Sequence, residues 1–170
     1  LALAHQGQRS LGGIISQAFL RTAGIDFVQV PYTVQGIAIQ DTIGGRVQVL
    51  VLSSGTLKPF LKRGDLRAIA VTSARRVPGL DVPTIAETLA GFDYVGWYTL
   101  LAPRGAPTAI VRKVNLGLNR VLMDREISGR LRDFGIYTDG AGTPEETAKF
   151  LAAERTRWGN AIRDIGIQPE

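Results

Sequence analysis

Ala68-Ile-Ala-Val-Thr-Ser-Ala-Arg-Arg-Val-Pro-Gly-Leu-Asp-Val-Pro-Thr-Ile-Ala-Glu87 is the stretch that decides the fold. Its beginning belongs to an apolar run, Leu66 to Val71, that reads as a strand. A polar connection punctuated by Pro78 and Pro83 follows, and Pro83-Thr-x-x-Glu87 opens a short helix.

The same alternation extends upstream. Ser10 begins a helical pattern in which Leu11, Ile14, Ile15, Ala18 and Phe19 share a face, and Gly24 is placed to stop it. Asp26 to Pro31 reads as a short strand ended by proline, and a weaker helix stops at Gly44-Gly45. Val47 to Leu52 is a nearly continuous apolar run, expected as a strand buried on both faces. Leu57, Phe60 and Leu61 mark a short helix stopped by Gly64. Strands alternating with helices imply an α/β fold with a parallel sheet. Such sheets bind ligands in the crevice beyond the carboxyl ends of their strands. The loops after Leu3, Pro31 and Leu52 are therefore the places to look for a site.

Downstream the character changes. Phe92 to Ala102 is aromatic and β-rich, and Pro103-Arg-Gly-Ala-Pro107 reads as a crossing or hinge. Beyond it the pattern is helical. Pro107 occupies a first turn ahead of Ile110, Val111, Val114, Leu118, Val121 and Leu122. Asp124 is placed to cap a helix carrying Ile127, Leu131 and Phe134. Thr143-Pro-Glu-Glu146 is a capping box that opens a helix presenting Leu151, Glu154, Trp158, Ile162 and Ile165, with Gly166 as its stop.

Composition bounds the function. The chain has 170 residues, 45% of them hydrophobic, enough for a real core in one domain or one lobe with additions. Cysteine is absent, which excludes disulfides and thiol chemistry and fits the periplasm. The net charge of +5 suits anionic partners. The basic residues are scattered, however, and do not interleave with aromatics, which argues against nucleic acid. No apolar run is long enough for a bilayer span. The chain opens Leu1-Ala-Leu-Ala-His5 without Met or a signal peptide, so a processed or truncated product is expected.

His5 is the only histidine and reads as a surface residue near a chain end. Nucleophile-elbow and P-loop spacings are absent, and the acidic residues are scattered without metal-ligand clustering. No catalytic residue, metal or cofactor is expected, and the chain is not read as an enzyme.

Several motifs carry a resemblance. Ala70-Val-Thr-Ser-Ala-Arg-Arg76 with Asp81-Val-Pro-Thr-x-x-Glu87 is joined by Gly24-Ile-Asp-Phe-Val-Gln-Val-Pro-Tyr32 and Asp41-x-x-Gly-Gly-Arg-Val-Gln48. Trp97-x-x-Leu-Leu-Ala-Pro-x-Gly105, Pro107-x-x-Ile-Val-x-x-x-Asn115, Thr143-Pro-Glu-Glu146 and the late Trp158 follow. In order and spacing these resemble the Bug/TctC family, the periplasmic solute-binding receptors of tripartite tricarboxylate transporters.

The resemblance implies a periplasmic binding protein of type II, with two α/β lobes clamping a ligand. Matched to that plan, residues 1–102 form the second, ligand-cleft lobe. Residues 103–170 form the crossing segment and C-terminal helices, which would return to a missing first lobe. Left without that partner, the helices are expected to fold back, to meet another copy in a homodimer, or to dock on a separate chain.

The family binds carboxylates with loop N–H groups and small hydroxyls, which implies a ligand site from three loops. The first contributes Gly7, Gln8, Arg9 and Ser10, with Arg9 where glycine is usual and Gly13 where a histidine would fall. Ser10 reads equally as an N-cap, and Arg9 as a bidentate carboxylate partner or a solvated side chain. The second contributes Tyr32, which reads as a ligand contact or a core residue, with Val34 in place of a glycine. The third contributes Ser53 and Ser54, where Ser54 or Thr56 also reads as a helix cap. Leu52 stands where family members often carry an aspartate, which suits plain carboxylates over ligands with an amino group.

The implied function is a receptor, or a truncated part of one, that delivers small organic carboxylates to membrane transporter subunits from the periplasm. Two alternatives share the architecture or the truncation: the effector-binding domain of a transcription regulator, and an interaction fragment with no small ligand.

Overall fold

The computed structural model describes residues 1–138 and 140–167. They form two compact units. One comprises Leu1–Leu52, Leu57–Gly96 and the chain from Asn160 on, and the other Ser53–Thr56 with Trp97–Gly159.

The first unit is built on a parallel sheet of three strands in the order β2-β1-β3. Strand β1 is Ala2–His5, β2 is Val28–Pro31 and β3 is Val49–Leu50. The register pairs Leu3 with both Gln29 and Val49, and His5 with Pro31. Helix α1 (Leu11–Ala23) joins β1 to β2, and α2 (Gln35–Ile43) joins β2 to β3. The chain steps from β1 to β2 in one direction and from β2 across β1 to β3 in the other. Right-handed crossovers therefore place the two helices on opposite faces. Ala4 packs with Ala38 of α2 and with Val47, and Ala2, Val30, Tyr32 and Leu50 close around them. By alternation Leu3 and His5 point to the α1 face. Leu3 is fully buried, which contributes roughly 2 kcal/mol.

Helix α1 forms as its sequence reads. The Ser10 hydroxyl oxygen accepts from the Gly13 N–H, and Gly24 closes the helix at φ 64°. Its inward face uses small residues: Gly12, Gly13, Ser16 and Ala18 are buried beside Ile15 and Leu20. A side chain on Gly12 would press on the Val51 carbonyl.

Helix α3 (Ser54–Arg63) starts in the second unit and continues into the first, ending ahead of Gly64 at φ 77°.

The strand expected over Leu66–Val71 does not form. Only Val71 pairs, through a single parallel bridge to Thr84. Apolar content supplies a surface but not a ladder, and a strand exists only where a neighbour offers its N–H and C=O groups. Ile69, 68% exposed, shows that this run is uncovered. The strand expected over Val47–Leu52 likewise contracts to Val49–Leu50, both only half-buried, because β1 pairs with it over two residues. Phe92–Ala102 forms no strand; Phe92 instead anchors the core, edge-on to Phe19 and to Tyr94.

The motif at Arg76 and Pro83–Glu87 has a local logic. Thr84 caps a 3-10 turn, Ile85–Glu87, through a reciprocal capping box with Glu87. The same carboxylate takes a two-pronged bond from Arg76, Nε at 2.8 Å and a terminal nitrogen at 2.7 Å. Arg76 and the Thr84 N–H lower the Glu87 carboxyl to about 2. One acid thus ties both ends of the connection between Val71 and the turn.

In the second unit, α4 (Thr108–Met123), α5 (Arg125–Asp133) and the first sixteen residues of α6 (Pro144–Asp164) follow the sequence signals. Asp124 caps α5 through the Glu126 and Ile127 N–H groups, and Thr143 and Glu146 cap α6 reciprocally. Asn115 and Asn119 on α4 hold the Gly142 carbonyl, each at 2.9 Å, and Asn119 also accepts from the Ala141 N–H.

The centre of this unit is Glu154, only 6% exposed. Its Oε2 accepts from Trp97 Nε1 at 2.8 Å, Trp158 Nε1 at 3.0 Å and Arg157 at 2.8 Å. Burial pushes this carboxyl up, but the bonds from Arg157, Trp97 and Trp158 outweigh it and leave it below the usual range. Trp97 also meets Phe150 edge-on. The acid expected on the presented face of α6 is therefore an internal hub. Trp158 and Leu151 are half-buried, whereas Ile110, Val114 and Val121 on α4 stay exposed.

Candidate functional site

In a parallel sheet all carboxyl ends share one edge. Here that edge is formed by His5, Pro31 and Leu50, and the loops leaving it carry most of the predicted site residues.

Gly7, Gln8, Arg9 and Ser10 form a tight turn between β1 and α1. The Ser10 N–H donates to the Gly7 carbonyl at 3.1 Å, and its hydroxyl donates to the same oxygen at 2.7 Å while accepting from Gly13 at 3.0 Å. Ser10 is thus the helix cap, and its hydroxyl proton is committed. Gly7 sits at φ 108°, a conformation that favours glycine. Gln17 reaches back from α1 to the Gln8 carbonyl at 3.0 Å. Arg9 is exposed on this turn.

The turn lies so close over α1 that a Cβ on Gly13 would fall well inside van der Waals contact of the Gly7 carbonyl. The glycine at this position is therefore required by the turn. Adjacent glycines in a first helical turn, where each costs about 1 kcal/mol relative to alanine, are the sequence signal for such an approach.

Tyr32 leaves β2 beside this turn, its N–H donating to the His5 carbonyl at 2.8 Å. Its hydroxyl donates to Asp41 Oδ2 at 2.9 Å, and Arg46 takes the other oxygen at 2.6 Å. The bonds from Arg46 and Tyr32 hold the Asp41 carboxyl below the usual range. This triad explains the Asp41-x-x-Gly-Gly-Arg46 spacing: it pins the far end of α2 to the start of the Tyr32 loop. Helix α2 itself begins after Val34 with no side-chain cap bond. Its first N–H groups and its dipole are directed at the same edge as the α1 turn.

Ser53 and Ser54 belong to the second unit. There the start of α3 abuts the turn after α5. A side chain on Gly55 would overlap the Phe134 carbonyl, and Ser54 Oγ lies close to Gly135.

The histidine departs from expectation. His5 is 1% exposed, so it is a core residue, because it ends the central strand and points under the α1 side of the sheet. The Gly7 N–H donates to its Nδ1 at 3.0 Å. Nδ1 therefore carries the lone pair, and the neutral ring keeps its proton on Nε2. Nε2 is buried and has no hydrogen-bond partner among the described residues. Burial lowers the pKa of this histidine, which favours that neutral form. The signal was its position, one residue past the apolar Leu1–Ala4 run.

A cavity of about 240 Å³ lies elsewhere, lined by Ala18, Arg21, Thr22, Tyr94 and the end of α6. It sits at the opposite end of α1 from Ser10, away from the strand ends. Among the described residues no group of three metal-ligating side chains comes together, and no helix is long and apolar enough to cross a membrane.

Comparison with known proteins places this architecture. The family model described as "Tripartite tricarboxylate transporter family receptor" (TctC) matches residues 1–167. The "UPF0065 protein in tcbD-tcbE intergenic region" of Pseudomonas sp. (strain P51) is 32% identical over 165 residues, covering 95% of this chain and 49% of that protein. The structure "R. palustris Rpa4515 with adipate" superposes at a TM-score of 0.84 with 31% identity, covering 100% of this chain and 57% of that one. "MatC (Rpa3494) from Rhodopseudomonas palustris with bound malate" superposes at 0.68 with 29% identity, covering 95% and 56%. The chain thus spans about half the length of such relatives.

Proposed function

The chain belongs to the TctC family of tripartite tricarboxylate transporter receptors, and on that premise we propose that it supplies the ligand-cleft lobe of a periplasmic receptor for small organic carboxylates. Residues 1–102 are that lobe, and residues 103–170 are the crossing segment and helices that return to the other lobe. The receptor hands its ligand to membrane transporter subunits. It works by binding alone.

One observation carries the reading. The N-termini of α1 and α2 converge on the carboxyl edge of the parallel sheet, and α2 has no side-chain cap. Unsatisfied N–H donors and two helix dipoles at one edge favour an anion. The proposed contacts in the first unit are Gly7, Gln8, Arg9 and Ser10 on the first turn and Tyr32 on the second. Since Ser10 and Tyr32 already spend their hydroxyl protons on Gly7 and Asp41, they serve by backbone groups and placement. Arg9 supplies positive charge on the exposed side of the turn. Adipate and malate bound to structural neighbours make dicarboxylates the first ligands to try. Thermal melting should rise with adipate and stay unchanged with adipamide or lysine. Equal stabilisation by adipamide would remove the carboxylate from the reading.

We further propose that the chain self-associates through its C-terminal helices, where Ile110, Val114 and Val121 are exposed on α4. Multi-angle light scattering should give twice the chain mass; a monomer at working concentrations contradicts the dimer.

A further inference from the structure

We propose that His5 is a ligand-recognition residue of this lobe, its Nε2–H donating to a carboxylate oxygen seated at the carboxyl end of the central strand. The inference rests on the receptor reading and deepens it, because it names a buried side-chain donor at that edge.

Three observations meet at this residue. His5 ends the middle strand of the sheet, so the turn that follows β1 begins at it, and the turn that follows β2 lies beside it, with the Tyr32 N–H on the His5 carbonyl. Its ring is fixed from behind, since the Gly7 N–H occupies Nδ1 and thereby selects the tautomer that donates from Nε2. Nε2 is then a buried donor without a partner among the described residues. Leaving such a group unpaired is unfavourable, so a site that supplies an acceptor gains more than the same bond would at the surface. Helix α1 starts a few residues away and adds its positive end at the same edge. The donor is covered in the ligand-free chain, and its engagement requires the cover to shift when ligand enters.

The neutral ring matters for selectivity. A donor without charge recognises a carboxylate oxygen through geometry, while Arg9, exposed on the neighbouring turn, supplies the charge. Leu52 offers no acid to hold an amino group. Together these residues select plain carboxylates.

Because His5 is the only histidine, ¹⁵N-histidine labelling gives one ring in the spectrum, with no assignment needed. At neutral pH the free chain should show the Nε2–H tautomer. Titration with adipate should move the Nε2 nitrogen and its proton downfield in step with the backbone amides of the 7–13 turn. His5→Ala should then weaken adipate by about tenfold, corresponding to roughly 1.4 kcal/mol. Should that variant not fold, the wild-type spectrum alone decides. If adipate shifts the turn amides but leaves the His5 ring unchanged, the receptor reading stands and this inference is overturned; Nε2 then has a structural partner such as a water. An Nδ1–H tautomer in the free chain also overturns it. If no amide and no ring resonance moves, both readings fail.

Discussion

Replacing Glu154 by leucine is expected to lower stability by about 3 kcal/mol, since breaking a buried ionic cluster on one side leaves its partners uncompensated. For a chain of this size that is a fall in melting temperature of roughly 10 °C. Trp97, Trp158 and Arg157 all address one carboxylate oxygen, so removing it takes an acceptor from two indole N–H groups and a guanidinium at once. Glu154→Gln should lie between the two, because an amide oxygen still accepts but offers Arg157 no charge. The pH dependence has a definite sign. The folded pKa of Glu154 is lowered, so its contribution is complete above the ordinary value of 4.5 and is lost as the pH falls from there through the folded value. The gap between wild type and Glu154→Gln should therefore narrow in acid. Equal melting of wild type and Glu154→Leu would show that the hub is not the organising centre of its unit.

Gly13→Ala should destabilise by about 2 kcal/mol, the range typical of overpacking. Alanine ordinarily gains about 1 kcal/mol over glycine within a helix. The sign reverses here because the new methyl would strike the Gly7 carbonyl, which is backbone and cannot turn aside. Gly117→Ala in α4 is the matched control. Its Cβ meets open space, and it should follow the ordinary propensity and stabilise by roughly 0.5–1 kcal/mol. Chemical denaturation of the two variants settles the comparison. If both stabilise, the turn over α1 is not as close as the structure has it. Because Gly13→Ala displaces the Gly7–Ser10 turn, it should also weaken adipate, whereas Gly117→Ala should not.

These two sites show where the sequence was readable. Helix signals are the most legible: Asp124 and Thr143 cap their helices, Ser10 resolves to the cap of its two readings, and Gly24 and Gly64 stop theirs. A cap is a local contract between residues three or four apart, so its chemistry lies in one short window. Strands were read less well for the opposite reason. Leu66–Val71 and Phe92–Ala102 have strand composition, but a strand needs a partner, and pairing is not written in its own residues. The site was legible as loops at a sheet edge and illegible as contacts. That Ser10 caps α1 was one of two open readings, and the bond from Tyr32 to Asp41 depends on how α2 lies against β2. The burial of His5 went unread because a lone polar residue at the end of an apolar run has no periodic pattern to place it. Gly13 was visible only as an oddity, and its reason is the carbonyl of a residue six positions earlier.

Titrating adipate into the ¹⁵N-labelled chain and following its backbone amides shows directly whether the carboxyl edge of this sheet receives a small carboxylate, and it detects binding even at millimolar affinity. Saturable shifts concentrated in the Gly7–Gly13 turn and the Tyr32–Gly36 segment are expected, with none from adipamide. Shifts gathered instead around the cavity at Ala18 and Arg21, or no shifts at all, would contradict carboxylate binding at this edge.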